Sequence, residues 1–86
     1  MEKYNKILLK IIGGKSDFNI EFDELCKLLR RLNFKETIKG SHHIYRKSGI
    51  DERINIQPEN GKAKAYQIRQ LRDIIIRYGL GVEDGE

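Results

Sequence analysis

The sequence is poorest in the groups that build covalent or metal-bound frameworks. Its 86 residues hold one cysteine, two histidines, one proline and no tryptophan. A lone thiol excludes an internal disulfide, and no cysteine metal cluster is expected. The acids Asp17, Asp23, Glu24 and Asp51 are scattered over loops and a helix start and make no recognisable metal set. No apolar run approaches membrane-spanning length. The start of the chain reads as charged and helical, unlike a signal peptide. The expectation is therefore a cytoplasmic protein with no membrane association, no cofactor and no metal. There is no internal repeat. Gly14-Lys15-Ser16 lacks the earlier glycine and the preceding strand of a phosphate-binding loop.

What is present is charge. Charged residues make up 35% and hydrophobic residues 38%, a balance that suits a soluble globular chain rather than a disordered one. The length implies one domain over 1–86, too small to enclose a deep catalytic cavity, so a shallow surface site is expected. Lys and Arg number 17 against 13 Asp and Glu. Between Lys35 and Arg72 acids are few, while Lys35, Lys39, Arg46, Lys47, Arg53, Lys62, Lys64, Arg69 and Arg72 recur. Such a surface attracts a polyanion. Composition alone does not separate RNA from DNA or from an acidic protein partner.

Hydropathy patterning gives the elements. Tyr4, Ile7, Leu8, Ile11 and Ile12 repeat at helical spacing over 4–12, and Gly13-Gly14 ends that helix. Phe18, Ile20 and Phe22 alternate in a connector expected to lie extended on the core. Asp23 is the expected cap of a second helix reaching Leu32, with Leu25, Leu28, Leu29 and Leu32 as its core stripe and Cys26 as a small buried hydrophobe. Asn33 suits a left-handed terminator. Three strands follow at 34–39, 41–48 and 52–57, turned at Gly40 and at Ser48-Gly49-Ile50-Asp51. Residues 58–62 read as a loop. A last helix over 65–78 carries Ile68, Leu71, Ile74, Ile75 and Tyr78, and Gly79 stops it. The class is α+β: a three-stranded antiparallel sheet with helices on one face and the other face open to a ligand.

Both histidines sit in the second strand, and strand alternation points them to opposite faces. They are thus neither a paired acid and base nor a metal pair. Alternation groups His42 with Ile44 and Arg46, and His43 with Tyr45 and Lys47, without saying which group faces solvent. Imidazole is the one unperturbed side chain that titrates near neutrality. RNA supplies its own nucleophile, the 2′-hydroxyl, so cleavage needs little more than one proton acceptor, one proton donor and cations around the phosphorane. His42 with nearby Lys or Arg meets that minimum. Ser41 could orient a phosphate, and Tyr45 could stack a base or pack. Gln57 and Asn60 could hold a phosphate or a base edge. Lys64 and Arg69, near the start of the last helix, offer a phosphate seat.

Read in order, Phe22 to Leu29, Leu32-Asn33-Phe34, Gly40-Ser41-His42-His43-Ile44-Tyr45-Arg46, Ile54-Asn55-Ile56-Gln57-Pro58 and Leu71 to Gly79 resemble the HicA toxins, also described as the YcfA-like family. The resemblance covers about 20–80 and leaves 1–19 as an additional N-terminal helix and connector, with 81–86 as a tail. It implies a double-stranded-RNA-binding-like α-β-β-β-α fold and an mRNA-cleaving, metal-independent endoribonuclease of a toxin–antitoxin system. It further implies catalysis at His42, as general base or acid, and a HicB-like antitoxin as protein partner. Lys39, Ser41, Arg46, Lys47, Lys64 and Arg69 are the expected RNA contacts. Two positions depart from the family pattern. Asn60 stands where relatives often carry histidine, and Arg69-Gln70 where they often carry Gly-Thr. The alternative expectation is a noncatalytic double-stranded-RNA-binding module. A third reading is a protein-interaction domain whose basic face docks an acidic partner.

Overall fold

The computed structural model describes residues 3–81, so most of the expected tail lies outside the described residues. Helix α1 covers Lys3–Gly13, α2 Phe22–Arg31 and α3 Ala65–Tyr78. Strands β1 (Lys35–Lys39), β2 (His42–Arg46) and β3 (Ile54–Ile56) form one antiparallel sheet in that order. The α+β class and the helix–strands–helix order thus follow the hydropathy pattern. The second and third strands are shorter than expected, because residues 47–53 form a longer connection through Gly49.

One correction concerns residues 58–62. They are no plain loop: β4 (Pro58–Glu59) and β5 (Lys62–Ala63) pair across Asn60-Gly61. Both turn residues take positive φ, 52° and 78°, as a two-residue hairpin turn of the right twist requires. The connector before α2 then joins this hairpin. Ala63 N–H donates to the Ile20 carbonyl at 2.9 Å, Phe22 N–H donates to the Gly61 carbonyl at 3.0 Å, and Glu21 bridges to Lys62. That pairing also corrects the expected cap. Glu21, not Asp23, holds the N-cap position and makes no side-chain cap bond. The Gly61 carbonyl already takes the N–H of Phe22, so part of the helix start is satisfied by the hairpin instead.

The α2 exit is a backbone motif that the sequence does announce. Asn33 lies at φ 69°, its N–H bonds the Arg30 carbonyl, and the Phe34 N–H bonds the Leu29 carbonyl at 3.1 Å. This is the paired-bond arrangement of a helix ending in a left-handed residue, and it returns Phe34 to the core. Lys47 Nζ adds a bond to the Leu32 carbonyl at 2.9 Å, a cation at the negative end of the helix.

The core joins Leu8 and Ile11 of α1, Leu25, Cys26, Leu28 and Leu29 of α2, Ile68, Leu71, Ile74 and Ile75 of α3, and Tyr45, Ile54 and Ile56 of the sheet. Each fully buried Leu or Ile contributes about 1.5–3 kcal/mol relative to exposure. Phe18 is not among them. It is 82% exposed, because a turn at 16–19, closed by Asn19 N–H on the Ser16 carbonyl, breaks the alternation that Ile20 and Phe22 keep. Ile12 also lies outward, 40% exposed.

Helix α1 is tied to α3 by more than apolar contact. Arg72 forms a two-pronged ion pair with Asp17 at 3.0 and 2.9 Å and donates to the Ile11 carbonyl at 3.2 Å. The guanidinium lies so close over Gly14 (φ 73°) that an added Cβ would sit 3.0 Å from its Nη1. The glycine is required there both for its dihedral and for room.

Candidate RNA interface

Strand register decides what the open face carries. Lys35 lies opposite Arg46, Thr37 opposite Ile44 and Lys39 opposite His42, and Ile44 in turn faces Asn55 on β3. Cross-strand partners share a face. His42, Ile44 and Arg46 are therefore on the side away from the core, whereas Tyr45 and Ile54 pair on the core side, with Tyr45 fully buried. This resolves the ambiguity of the alternation. It also removes Tyr45 from base stacking, because its ring contacts no solvent.

Lys35, Thr37, Lys39, Ile44, Arg46 and Arg53 line a groove of about 280 Å³. That is smaller than enclosed small-molecule sites, which run about 300–1,000 Å³, and suits contact with part of a larger ligand. Four of the six lining residues are cationic and none is acidic. Lys35 and Arg46 stand directly opposite each other, a like-charge pairing that destabilises a sheet unless an anion neutralises it. Ile44 supplies an apolar floor between them.

His42 is exposed at the end of this face, beside the Gly40-Ser41 turn, where Gly40 takes φ 60°. Its Nδ1 lies 3.2 Å from Asn55 Oδ1. An amide oxygen only accepts, so Nδ1 donates and carries the ring proton. In the neutral ring the lone pair then lies on Nε2. Asn55 is the residue that sequence reasoning missed. The signal was present in Ile54-Asn55-Ile56: two inward isoleucines force the residue between them onto the open face.

The other expected contacts are spread out. Lys39 and Arg46 line the groove and Ser41 is exposed in the adjoining turn. Lys47 reaches to the Leu32 carbonyl instead. Lys64 holds the N-cap position of α3, and Arg69 is exposed on that helix. Among the remaining basic residues, Lys62 is engaged by Glu21 and Asn19, Arg72 by Asp17 and Arg77 by Glu52. Part of the basic span thus gathers in a groove on the sheet, while Lys62 and Arg72 are held in ion pairs elsewhere. Gln57 is half-buried after β3, and Asn60 serves the hairpin turn.

On the opposite side of β2 the sheet carries a polar cluster. Arg30 donates to Glu36 through Nε at 3.3 Å and Nη2 at 3.0 Å, and Tyr45 donates its hydroxyl to Glu36 Oε2. His43 Nδ1 lies 3.5 Å from the same oxygen and 3.9 Å from Cys26 Sγ. Burial raises the Glu36 carboxyl, but hydrogen bonds from Tyr45, Arg30 and His43 outweigh it and hold the group below its ordinary value. Burial pushes the Cys26 thiol up, and burial together with the bonds to Cys26 and Glu36 pushes the Tyr45 phenol far up.

No helix among the described residues is long and apolar enough to cross a membrane. A family model described as the HicA toxin of bacterial toxin–antitoxin systems matches residues 22–78, from the first residue of α2 to the last of α3. Neither a curated protein nor a solved structure matches the chain.

Proposed function

The chain belongs to the HicA toxin family, generally one of RNA-cleaving toxins with a cognate antitoxin, and from that premise we propose that it cleaves mRNA on the open face of its sheet. One observation carries the reading. His42, exposed, shares that face with a groove formed by Lys35, Lys39, Arg46 and Arg53.

The exposed imidazole and the groove cations support the following chemistry. His42 Nε2 takes the proton of the 2′-hydroxyl, and the 2′-oxygen attacks phosphorus. The bond from phosphorus to the 5′-oxygen breaks, water at the open face protonates the leaving oxygen, and the hydroxide so formed takes the proton back from His42. The products end in a 2′,3′-cyclic phosphate and a 5′-hydroxyl. The groove cations seat the backbone and stabilise the charge that grows on the phosphorane. Ser41, next to His42 in the turn, donates a hydrogen bond to the phosphate, and a base packs on Ile44. We assign the backbone seat to Lys35, Lys39, Arg46 and Arg53 rather than to Lys47, Lys64 and Arg69. Because the nucleophile belongs to the RNA, the reaction calls for no metal ion. An acidic HicB-like antitoxin covers the same face, and the protein acts in the cytoplasm, where mRNA is translated.

The test offers RNA and DNA of one sequence to the wild-type protein in excess chelator. RNA is cut to ends bearing a cyclic phosphate, and DNA is left whole. Loss of cleavage in chelator, with the protein still folded, would reject the metal-free reaction. Salt-sensitive binding of duplex RNA that stays intact would establish the noncatalytic binding module instead.

A further inference from the structure

The polar cluster beneath the sheet brings a thiol, an imidazole and a carboxylate together. Cys26 Sγ, His43 Nδ1 and one Glu36 carboxylate oxygen all lie within 4.8 Å of one another. His43 Nδ1 stands 3.9 Å from Sγ and 3.5 Å from Oε2. The first is a long contact to sulfur and the second a long hydrogen bond to the carboxylate. They are close to the edges of a tetrahedron. With Zn–S of about 2.3 Å and Zn–N or Zn–O of about 2.0–2.1 Å, ligand atoms stand roughly 3.4–3.6 Å apart.

We propose that Cys26, Glu36 and His43 form a zinc site that fastens α2 to β1 and β2. One ligand comes from each element: Cys26 from α2, Glu36 from β1 and His43 from β2. Thiolate, imidazole and carboxylate are the donor set that zinc takes, and water completes the tetrahedron. The supporting shell is already in place. Arg30 and Tyr45 donate to the Glu36 carboxylate. Phe22 sets its ring edge-on to His43 with centroids 4.9 Å apart, which fixes the imidazole plane. Ligands oriented in this way are what a metal centre requires around it. His43 and Glu36 are each about one-fifth exposed, 20% and 19%, so an ion can enter and a water can stay.

Binding is balanced by one proton. Zn²⁺ displaces the hydrogen of the Cys26 thiol to solvent, and the His43 ring proton moves from Nδ1 to Nε2, leaving Nδ1 free to coordinate. The two negative ligands match the two charges of the ion, and Arg30 remains beside the carboxylate. His42 points to the opposite face of β2 and takes no part. The site therefore does not rest on the RNA-cleaving reading, and its cobalt and melting readouts involve no RNA.

Cobalt(II) reports such a site directly. Untagged, chelator-stripped protein is titrated with cobalt(II) and then with zinc, while absorption and thermal melting are followed. The expected result is one ion per chain, a thiolate-to-cobalt charge-transfer band, visible bands of tetrahedral cobalt and displacement by zinc, with a higher Tm in zinc. Cys26→Ala, a change that a small buried hydrophobe tolerates, abolishes the charge-transfer band and the Tm rise. His43→Phe lowers zinc affinity by more than the roughly tenfold loss that Arg30→Met causes through the supporting shell. His42→Ala changes none of these readings. Absence of the charge-transfer band in the wild type, or zinc affinity unchanged in Cys26→Ala, overturns the proposal.

Discussion

Replacing Asn55 by leucine isolates the bond that sets the histidine's basic nitrogen. The contact from His42 Nδ1 to Asn55 Oδ1 is 3.2 Å long and both residues are exposed. An exposed neutral hydrogen bond contributes a net 0.5–1.5 kcal/mol, roughly. At 1.4 kcal/mol per tenfold, that is a change of roughly two- to twelvefold in the share of rings whose Nε2 is free. Asn55 is not buried, so the substitution barely moves stability. The assay is single-turnover cleavage of a short RNA at saturating protein. The expected loss in rate is about two- to tenfold with unchanged RNA affinity. Introduced into His42→Ala, the same substitution has no further effect, because it acts through the ring. An unchanged rate would refute the orienting role. A loss as large as that of His42→Ala, or additive with it, would mean that Asn55 itself touches the substrate.

Three other outcomes follow from the same structure. Arg72→Met strands Asp17, whose side chain is only 10% exposed, and costs about 3 kcal/mol, which lowers Tm by roughly 12–24 °C on a calorimetric scan. Glu36 is held below its ordinary value of 4.5, so its contribution to stability is present above that pH and is lost as pH falls through the lowered value. Urea unfolding of Glu36→Gln from pH 7 to pH 3 should show lower stability at neutrality and a shallower acid decline than the wild type. Arg46→Ala should reduce the slope of log affinity for single-stranded RNA against log salt by about 0.7, the share of one phosphate contact. Arg69→Ala, outside the groove, should leave that slope unchanged.

Much of the fold was legible because helix and strand periods were strong. The stripe Leu25, Leu28, Leu29, Leu32 and the Asn33 exit predicted α2 and its end, and 65–78 gave α3 to the residue. Phe18 misled because hydropathy alternation carries no information about a turn that interrupts it. The hairpin at 58–63 was missed for a related reason. Asn60-Gly61 is a strong turn signal, but Pro58-Glu59 and Lys62-Ala63 lack the flanking alternation that usually confirms one.

The residues of the candidate site could be named from the sequence, but their assembly was less legible. Gly40-Ser41-His42 marked the histidine, yet the face it occupies came only from Tyr45, whose pairing with Ile54 places His42, Ile44 and Arg46 outward. Lys39 and Ser41 lie beside it through register and sequence, and Arg46 lies at the other end of β2 on the same face. Lys35 joins them through its pairing with Arg46, and Arg53 lines the groove from just before β3, neither of which composition reveals. The cluster of Cys26, Glu36 and His43 was hidden for the same reason, since its members come from three elements and share no spacing.

The most direct measurement is single-turnover RNA cleavage by folded wild-type protein and folded His42→Ala, their folding matched by thermal melting. The account predicts a rate about 10²- to 10⁴-fold lower for the variant, with RNA still bound in the Lys35–Arg46–Arg53 groove. Equal rates from the two proteins would contradict it.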